Sequence, residues 1–350
     1  MRFTPHVSLA SFARPLSPLC ASLASLLLAS LASASMIIFA LSVTAFAPPA
    51  PPPMPPFPPS DRRLMAWVAG GACRNPHVPI PGLGMKQVVA QLQRNPGFYT
   101  GVYGFCGYHF AANGTLYNNV SDGRLACCNG TADGGDLFAE VRRQNMEFHP
   151  VLRLDDPYAT AANPQPFIDS FVARAKVEGW TGFNLDWEGH NTTGTLDYFL
   201  RFMKLNNAFA DGLAAHGLQF TTDVQSVTQP WGYHPDAQLD AILGGTRAKL
   251  VQMDSYYYGS GRVLDALDFY VDRVPPEKLG IGMSSAEPTP TVDGFVARFH
   301  ALRAAGVREV DMFLLPVNES WMPWLRKWKN DCRGCPNGGV LSCWANATCY

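Results

Sequence analysis

The chain is poor in charge. Only 16% of its 350 residues are charged, and 27 Lys and Arg against 28 Asp and Glu leave a net charge of −1. Without a basic surface to meet phosphate backbones, nucleic acid is not an expected partner. At 47% hydrophobic, the chain also lacks the polar composition of intrinsic disorder. Its 31 glycines and 29 prolines follow no triplet period, which excludes collagen. The first β-like run is followed by Gly70-Gly71-Ala72-Cys73, which is not the glycine-rich phosphate loop of a dinucleotide-binding sheet. Function has to be read from a site, not from bulk charge.

Charge is missing altogether between residues 15 and 60. Residues 19–47 form an unbroken apolar and small-residue run, long enough to span a bilayer, with Arg2 and Arg14 on its N-terminal side. That is the layout of a signal peptide or a signal anchor. Ala34 and Ala47 both offer cleavage positions, so residues 1–47 read equally as a cleaved leader and as a membrane anchor. Residues 48–59 hold nine prolines in twelve positions, and 48–60 is therefore a stiff polyproline spacer. The folded body is expected over 61–330, with a Cys-rich tail at 331–350.

Of nine cysteines, Cys20 lies in the leader, and eight remain: Cys73, Cys106, Cys127, Cys128, Cys332, Cys335, Cys343 and Cys349. An even count behind a secretory leader predicts disulfides; the pairing is not deducible, and zinc at 332–349 is the less favoured alternative. Six Asn-x-Ser/Thr acceptors, at Asn113, Asn119, Asn129, Asn191, Asn318 and Asn346, predict glycosylation in the secretory pathway or outside the cell.

From residue 64 onward, β-rich runs (64–72, 98–107, 148–154, 182–188, 218–225, 249–257, 278–283, 310–316) alternate with amphipathic stretches (85–95, 136–145, 166–178, 195–216, 235–243, 263–273, 292–305, 321–329). Alternation implies a parallel sheet, and eight repeats imply an α/β fold of the closed (β/α)8 TIM-barrel type. An open doubly wound sheet is the alternative. Residues 108–135 read as a long insert on the face where such barrels keep their catalytic loops.

The fourth run reads Thr181-Gly182-Phe183-Asn184-Leu185-Asp186-Trp187-Glu188. Strand alternation puts Asn184, Asp186 and Glu188 on one face and Phe183, Leu185 and Trp187 on the other. In a barrel the polar face lines the lumen, where unused polar groups are costly. The set is therefore either catalytic or neutralised by a cation such as Arg153 on the preceding strand.

This run resembles the fourth-strand signature Asp-Gly-x-Asp-x-Asp-x-Glu of glycoside hydrolase family 18, the chitinase and chitobiase family. The last Asp and the Glu are present, while Thr181 and Asn184 stand at the two earlier Asp positions. The run from Val274 to Gly282 is similar to the family's approach to strand seven. The stretch 98–116 is similar to its strand two, and the likeness covers roughly residues 64–329.

The resemblance implies that Glu188 is the general acid and that Asp186 raises its pKa and holds the substrate acetamide. The substrate's own acetamido oxygen is then the nucleophile, and no metal or cofactor is needed. Asn184 is expected to sit beneath Asp186 and hydrogen-bond it, and Asn184→Asp, which restores the family's residue, to be tolerated. Tyr256 takes the acetamide-contacting position, with Asp254 and Gln252 sharing the lumen. Strand three lacks the family's Ser-Gly-Gly ending and reads Arg153-Leu154-Asp155-Asp156. Strand eight has Leu314 near the family's sugar-stacking Trp. Trp321 is the substitute stacking surface, unless it anchors the last helix with Trp324 and Trp328.

The implied partner is an oligosaccharide or a glycoprotein glycan carrying β-linked N-acetylglucosamine. Two other classes remain at this point. One is a non-catalytic glycan-binding barrel. The other is a metal-dependent phosphodiesterase on the same fold, with Asp186, Glu188, Asp155 and Asp254 as ligands and His149 or His190 as acid–base partners.

Overall fold

In the computed structural model the described residues are 61–69, 84–119, 123–155, 157–186, 196–224, 243–252, 261–284 and 291–330. All lie in the unit spanning Pro53–Tyr350; the other unit, Met1–Pro52, is outside them. The predicted leader, the spacer and the Cys-rich tail at 331–350 therefore fall outside the described residues. Among the described residues no helix is long and apolar enough to cross a membrane.

Among the described residues nine strands form one sheet: β1 (Arg63–Ala69), β2 (Gly101–Phe110), β3 (Leu116–Asn118), β4 (Glu147–Leu154), β5 (Gly182–Leu185), β6 (Gln219–Val224), β7 (Lys249–Gln252), β8 (Leu279–Ser284) and β9 (Glu309–Phe313). Eight are parallel, in the order β1-β9-β8-β7-β6-β5-β4-β2. β1 also pairs with β2, so the sheet closes on itself into a barrel. This is the closed parallel arrangement expected from the alternation, and the open sheet is excluded.

Helices occupy the stretches between strands: α1 (Met85–Arg94), α2 (Arg124–Cys128), α3 (Leu137–Gln144), α4 (Pro157–Ala162), α5 (Gln165–Glu178), α6 (Leu196–Ala214), α7 (Gly261–Val271), α8 (Val292–Ala304) and α9 (Met322–Lys329). The predicted helix at 235–243 lies almost wholly outside the described residues.

The insert at 108–135 is more ordered than a long loop. β2 runs to Phe110, past its predicted end, and β3 folds back antiparallel, pairing His109 with Tyr117. A disulfide joins Cys106 of β2 to Cys128 at the end of α2, and Cys127 is disulfide-bonded as well. A three-residue strand and a five-residue helix carry too little periodicity to be read from sequence.

Packing divides by face. Outside the barrel, the Phe183 ring centroid lies 4.7 Å from that of Phe171 on α5, 5.2 Å from Phe209 on α6 and 4.9 Å from Phe220 on β6. Inside, Met65, Trp67, Tyr103 and Val151 form a second buried cluster with Phe105, Phe313 and Leu314 around it. Glycines make room for the polar lumen. A Cβ at Gly182 would stand 2.9 Å from His149 Nε2, and one at Gly280 would stand 2.2 Å from Asp311 Oδ2; both are closer than packed atoms approach.

The barrel floor is a charge cluster built from the first residues of strands. Arg63 opens β1 and donates two 2.7 Å hydrogen bonds to the Glu147 carboxylate, the first residue of β4. It also pairs with Glu309, the first residue of β9. Gln219 donates to Glu147 at 3.2 Å, and the Tyr103 hydroxyl donates to Glu309 at 3.3 Å. Burial raises the Glu147 pKa, but the Arg63 hydrogen bonds and charge outweigh it and hold the carboxyl low. Lys329, at the end of α9, is brought down to about 8 by burial and by the Arg63 cation.

Candidate active site

β5 presents its side chains as the alternation requires. Phe183 and Leu185 join the helix-facing core, and Asn184 is fully buried on the lumen side. Asp186 follows directly, and its backbone N–H donates to Leu152 O at 3.1 Å, which carries the pairing with β4 one residue beyond the strand. The Asp186 side chain is 5% exposed, and Arg153 Nε donates to its Oδ2 at 2.9 Å, from a side chain that is itself 54% exposed. The neutralising cation foreseen on the preceding strand is therefore present, at the mouth of the barrel.

Asn184 departs from expectation. It does not hydrogen-bond Asp186; its Nδ2 donates to Thr221 Oγ1 at 3.1 Å and to Asp223 Oδ1 at 2.8 Å, both on β6. The register explains this: Asn184 lies opposite Thr221, and cross-strand neighbours on one face are closer than residues two apart on one strand. Asp223, buried and inward-facing, is a site residue the sequence reading passed over. The signal was available, because Asp223 alternates with Thr221 on the lumen face. Among the described residues neither Asn184 Oδ1 nor Trp67 Nε1 has a hydrogen-bond partner, so the lumen keeps an acceptor and a donor for a polar ligand or water.

The contact with Asp223 reverses the expectation for Asn184→Asp. That substitution sets two carboxylates at hydrogen-bond distance in a buried place, where one must hold a proton. We predict a variant that loses stability at neutral pH and regains it as pH falls. Denaturant unfolding at several pH values checks this; an unchanged midpoint throughout refutes it.

The other predicted residues are placed as follows. Glu188, Asp254 and Tyr256 lie outside the described residues. Gln252 closes β7, paired with Val224 and Ile281. The Gln252 side chain, and with it the predicted lumen position, lies outside the described residues. Trp321 as a stacking surface, by contrast, is corrected. It is fully buried, edge-on to Phe295 of α8 at 4.9 Å, with the Arg298 guanidinium 5.8 Å from its ring. A sugar cannot stack on it; it anchors α9, as Trp324 on Phe295 and Trp328 on Phe299 do. Leu314 borders the lumen cluster around Trp67.

Along the mouth, His109 of β2 lies opposite Arg153 of β4 and opposite Tyr117 of β3. The Tyr117 and His109 rings stack at 5.6 Å and 24°. The Tyr117 hydroxyl donates to the Asp155 carboxylate at 3.4 Å. Burial and that carboxylate raise its pKa. The structure thus joins Asp186 and Arg153 to a rim that motif reading left unassigned.

No protein-family model matches the chain, and no curated protein matches it. Among solved structures it is similar to a chitinase from Chromobacterium violaceum, at TM-score 0.56 and 15% identity over 76% of this chain and 98% of that one. The spore cortex-lytic enzyme SleL of Bacillus megaterium matches at 0.55 and 13%, over 79% of this chain and 76% of its own. A chitinase-like agglutinin from Robinia pseudoacacia matches at 0.51 and 13%, over 76% and 98%. At such identities the likeness establishes a shared barrel fold.

Proposed function

We propose that this chain is a retaining glycoside hydrolase acting on β-linked N-acetylglucosamine, with Glu188 as general acid and the substrate's acetamide as nucleophile. The observation that carries the reading is Asp186: a carboxylate with a 5% exposed side chain, just past the end of a parallel barrel strand, where barrel enzymes keep their catalytic groups. Glu188 stands two residues further on in the sequence, the spacing at which strand residues share a face. There Asp186 supplies the negative charge that keeps a neighbouring acid protonated, while Arg153 fixes the orientation of its carboxylate. The acid protonates the glycosidic oxygen as that bond breaks. The acetamido oxygen attacks the anomeric carbon, and water later opens the resulting ring with net retention. The Cys106–Cys128 disulfide supports the companion proposal that the protein works in an oxidising, secretory compartment.

Cleavage of fluorogenic N-acetylglucosamine oligomers tests the reading. We expect release of the fluorophore, unaffected by chelator, and a nearly inert analogue in which hydroxyl replaces the N-acetyl group. Equal cleavage of the two substrates defeats substrate assistance, and no cleavage of either, together with chelator-sensitive cleavage of bis(4-nitrophenyl) phosphate, points to the metal-dependent phosphodiesterase instead.

One observation favours a second reading, a sugar-binding barrel without catalysis. The Arg153 cation already occupies one oxygen of Asp186, which opposes a role for that carboxylate in holding a substrate N–H. Binding of the oligomers without any cleavage selects this reading.

A further inference from the structure

We propose that Tyr117, with the His109 ring behind it and Asp155 at its hydroxyl, is an outer sugar-binding platform of the same cleft. It takes a pyranose ring of an oligosaccharide several units from the position of Asp186. The proposal rests on the carbohydrate reading above and extends it to a site on the β2–β3 hairpin.

Tyr117 is 40% exposed. The other large apolar side chains exposed among the described residues, Val177, Leu200 and Val292, are aliphatic. An exposed aromatic ring held rigidly is suited to binding, because little freedom is left to lose on contact. Tyr117 is held on three sides. Its ring stacks on His109, its hydroxyl is tied to Asp155, and its hairpin is fastened to β2. The fastening consists of Asn118 Nδ2 donating to Cys106 O at 3.0 Å and Asn119 N donating to Gly107 O at 2.9 Å. The Cys106–Cys128 disulfide secures the same stretch of β2 from the other side.

The register places this ring on the face of the candidate centre. Residues directly opposite each other in a sheet share a face. His109 lies opposite both Tyr117 and Arg153, and Arg153 reaches Asp186 on the next strand. From β3 to β5 is three strand spacings, about 14 Å, a span for several linked sugars rather than one. The apolar face of a pyranose stacks on an aromatic ring, while a carboxylate and a guanidinium take its hydroxyls. Asp155 supplies the carboxylate at Tyr117, and Arg153 the guanidinium one strand beyond His109.

The test titrates thio-linked, uncleavable N-acetylglucosamine oligomers of two and six units by calorimetry into the full protein and its Tyr117→Ala and Tyr117→Phe variants, with cleavage of the oxygen-linked oligomers assayed in parallel. Tyr117→Ala is expected to weaken the six-unit ligand about tenfold, the worth of one aromatic contact, and the two-unit ligand much less. Tyr117→Phe keeps the ring and most of the affinity. Equal losses on both lengths, or none on the longer, overturn the platform and leave the hydrolase reading standing if the wild type cleaves. Selective loss in a protein that never cleaves keeps the platform and overturns the hydrolase. Absence of both binding and cleavage overturns both.

Discussion

Glu188→Gln is expected to lower kcat on N-acetylglucosamine oligomers by at least about a hundredfold, the usual worth of a positioned general acid. The amide keeps the shape of the side chain and cannot deliver a proton to the leaving oxygen. Asp186→Asn is expected to be comparably severe, for a different reason. It removes the negative charge beside the acid, and it weakens the 2.9 Å contact that Arg153 makes with a side chain 5% exposed, leaving the guanidinium without its anion. The two losses separate in their pH profiles. Glu188→Gln should be slow at every pH, whereas Asp186→Asn should retain some activity with its alkaline limb displaced toward lower pH, because the acid loses the neighbour that holds its proton. A Glu188→Gln enzyme within tenfold of wild type sinks the assignment and moves attention to the buried Asp223.

Much of the barrel was legible because each layer of the argument needed only local pattern. Phe183, Asn184 and Leu185 sort themselves by alternation, and the structure sends Phe183 and Leu185 to the helices and the Asn184 amide to the lumen. What was not legible depends on register, which local pattern does not specify. That Asn184 meets Thr221 and Asp223 follows from how β5 lies against β6, and no motif in either strand states it. Trp321 was ambiguous from sequence because an aromatic near a strand end serves packing and binding equally well. Only its burial against Phe295 decides. The Tyr117 rim needed both the antiparallel return of β3 and the ring geometry, and neither is written in residue types.

The largest stability effect is expected at the opposite end of the barrel from Asp186, where Arg63 holds Glu147 and Glu309 together. Arg63→Met preserves much of the bulk and removes the cation, so two largely buried carboxylates are left facing each other. Breaking a buried pair by deleting one partner costs about 3–5 kcal/mol, and Arg63 serves two partners from a side chain only 28% exposed. The penalty must depend on pH in a definite direction. In the wild type the Glu147 carboxyl is held below its ordinary value of 4.5, so it contributes stability above that value and loses it as pH falls through the folded pKa. Without Arg63 that carboxyl loses the partner that lowered it, and its desolvation now favours the proton. The gap in unfolding free energy between wild type and variant should therefore be widest near neutral pH and narrow steadily below about pH 5. Replacing Glu147 and Glu309 by Gln in the Arg63→Met background should recover most of the loss at pH 7, since amides leave no unpaired carboxylate. Urea unfolding across the pH range measures all three proteins. A gap that stays constant from pH 7 to pH 4 means that Arg63 acts through packing of its stem rather than through its charge, and the electrostatic account of the barrel floor falls.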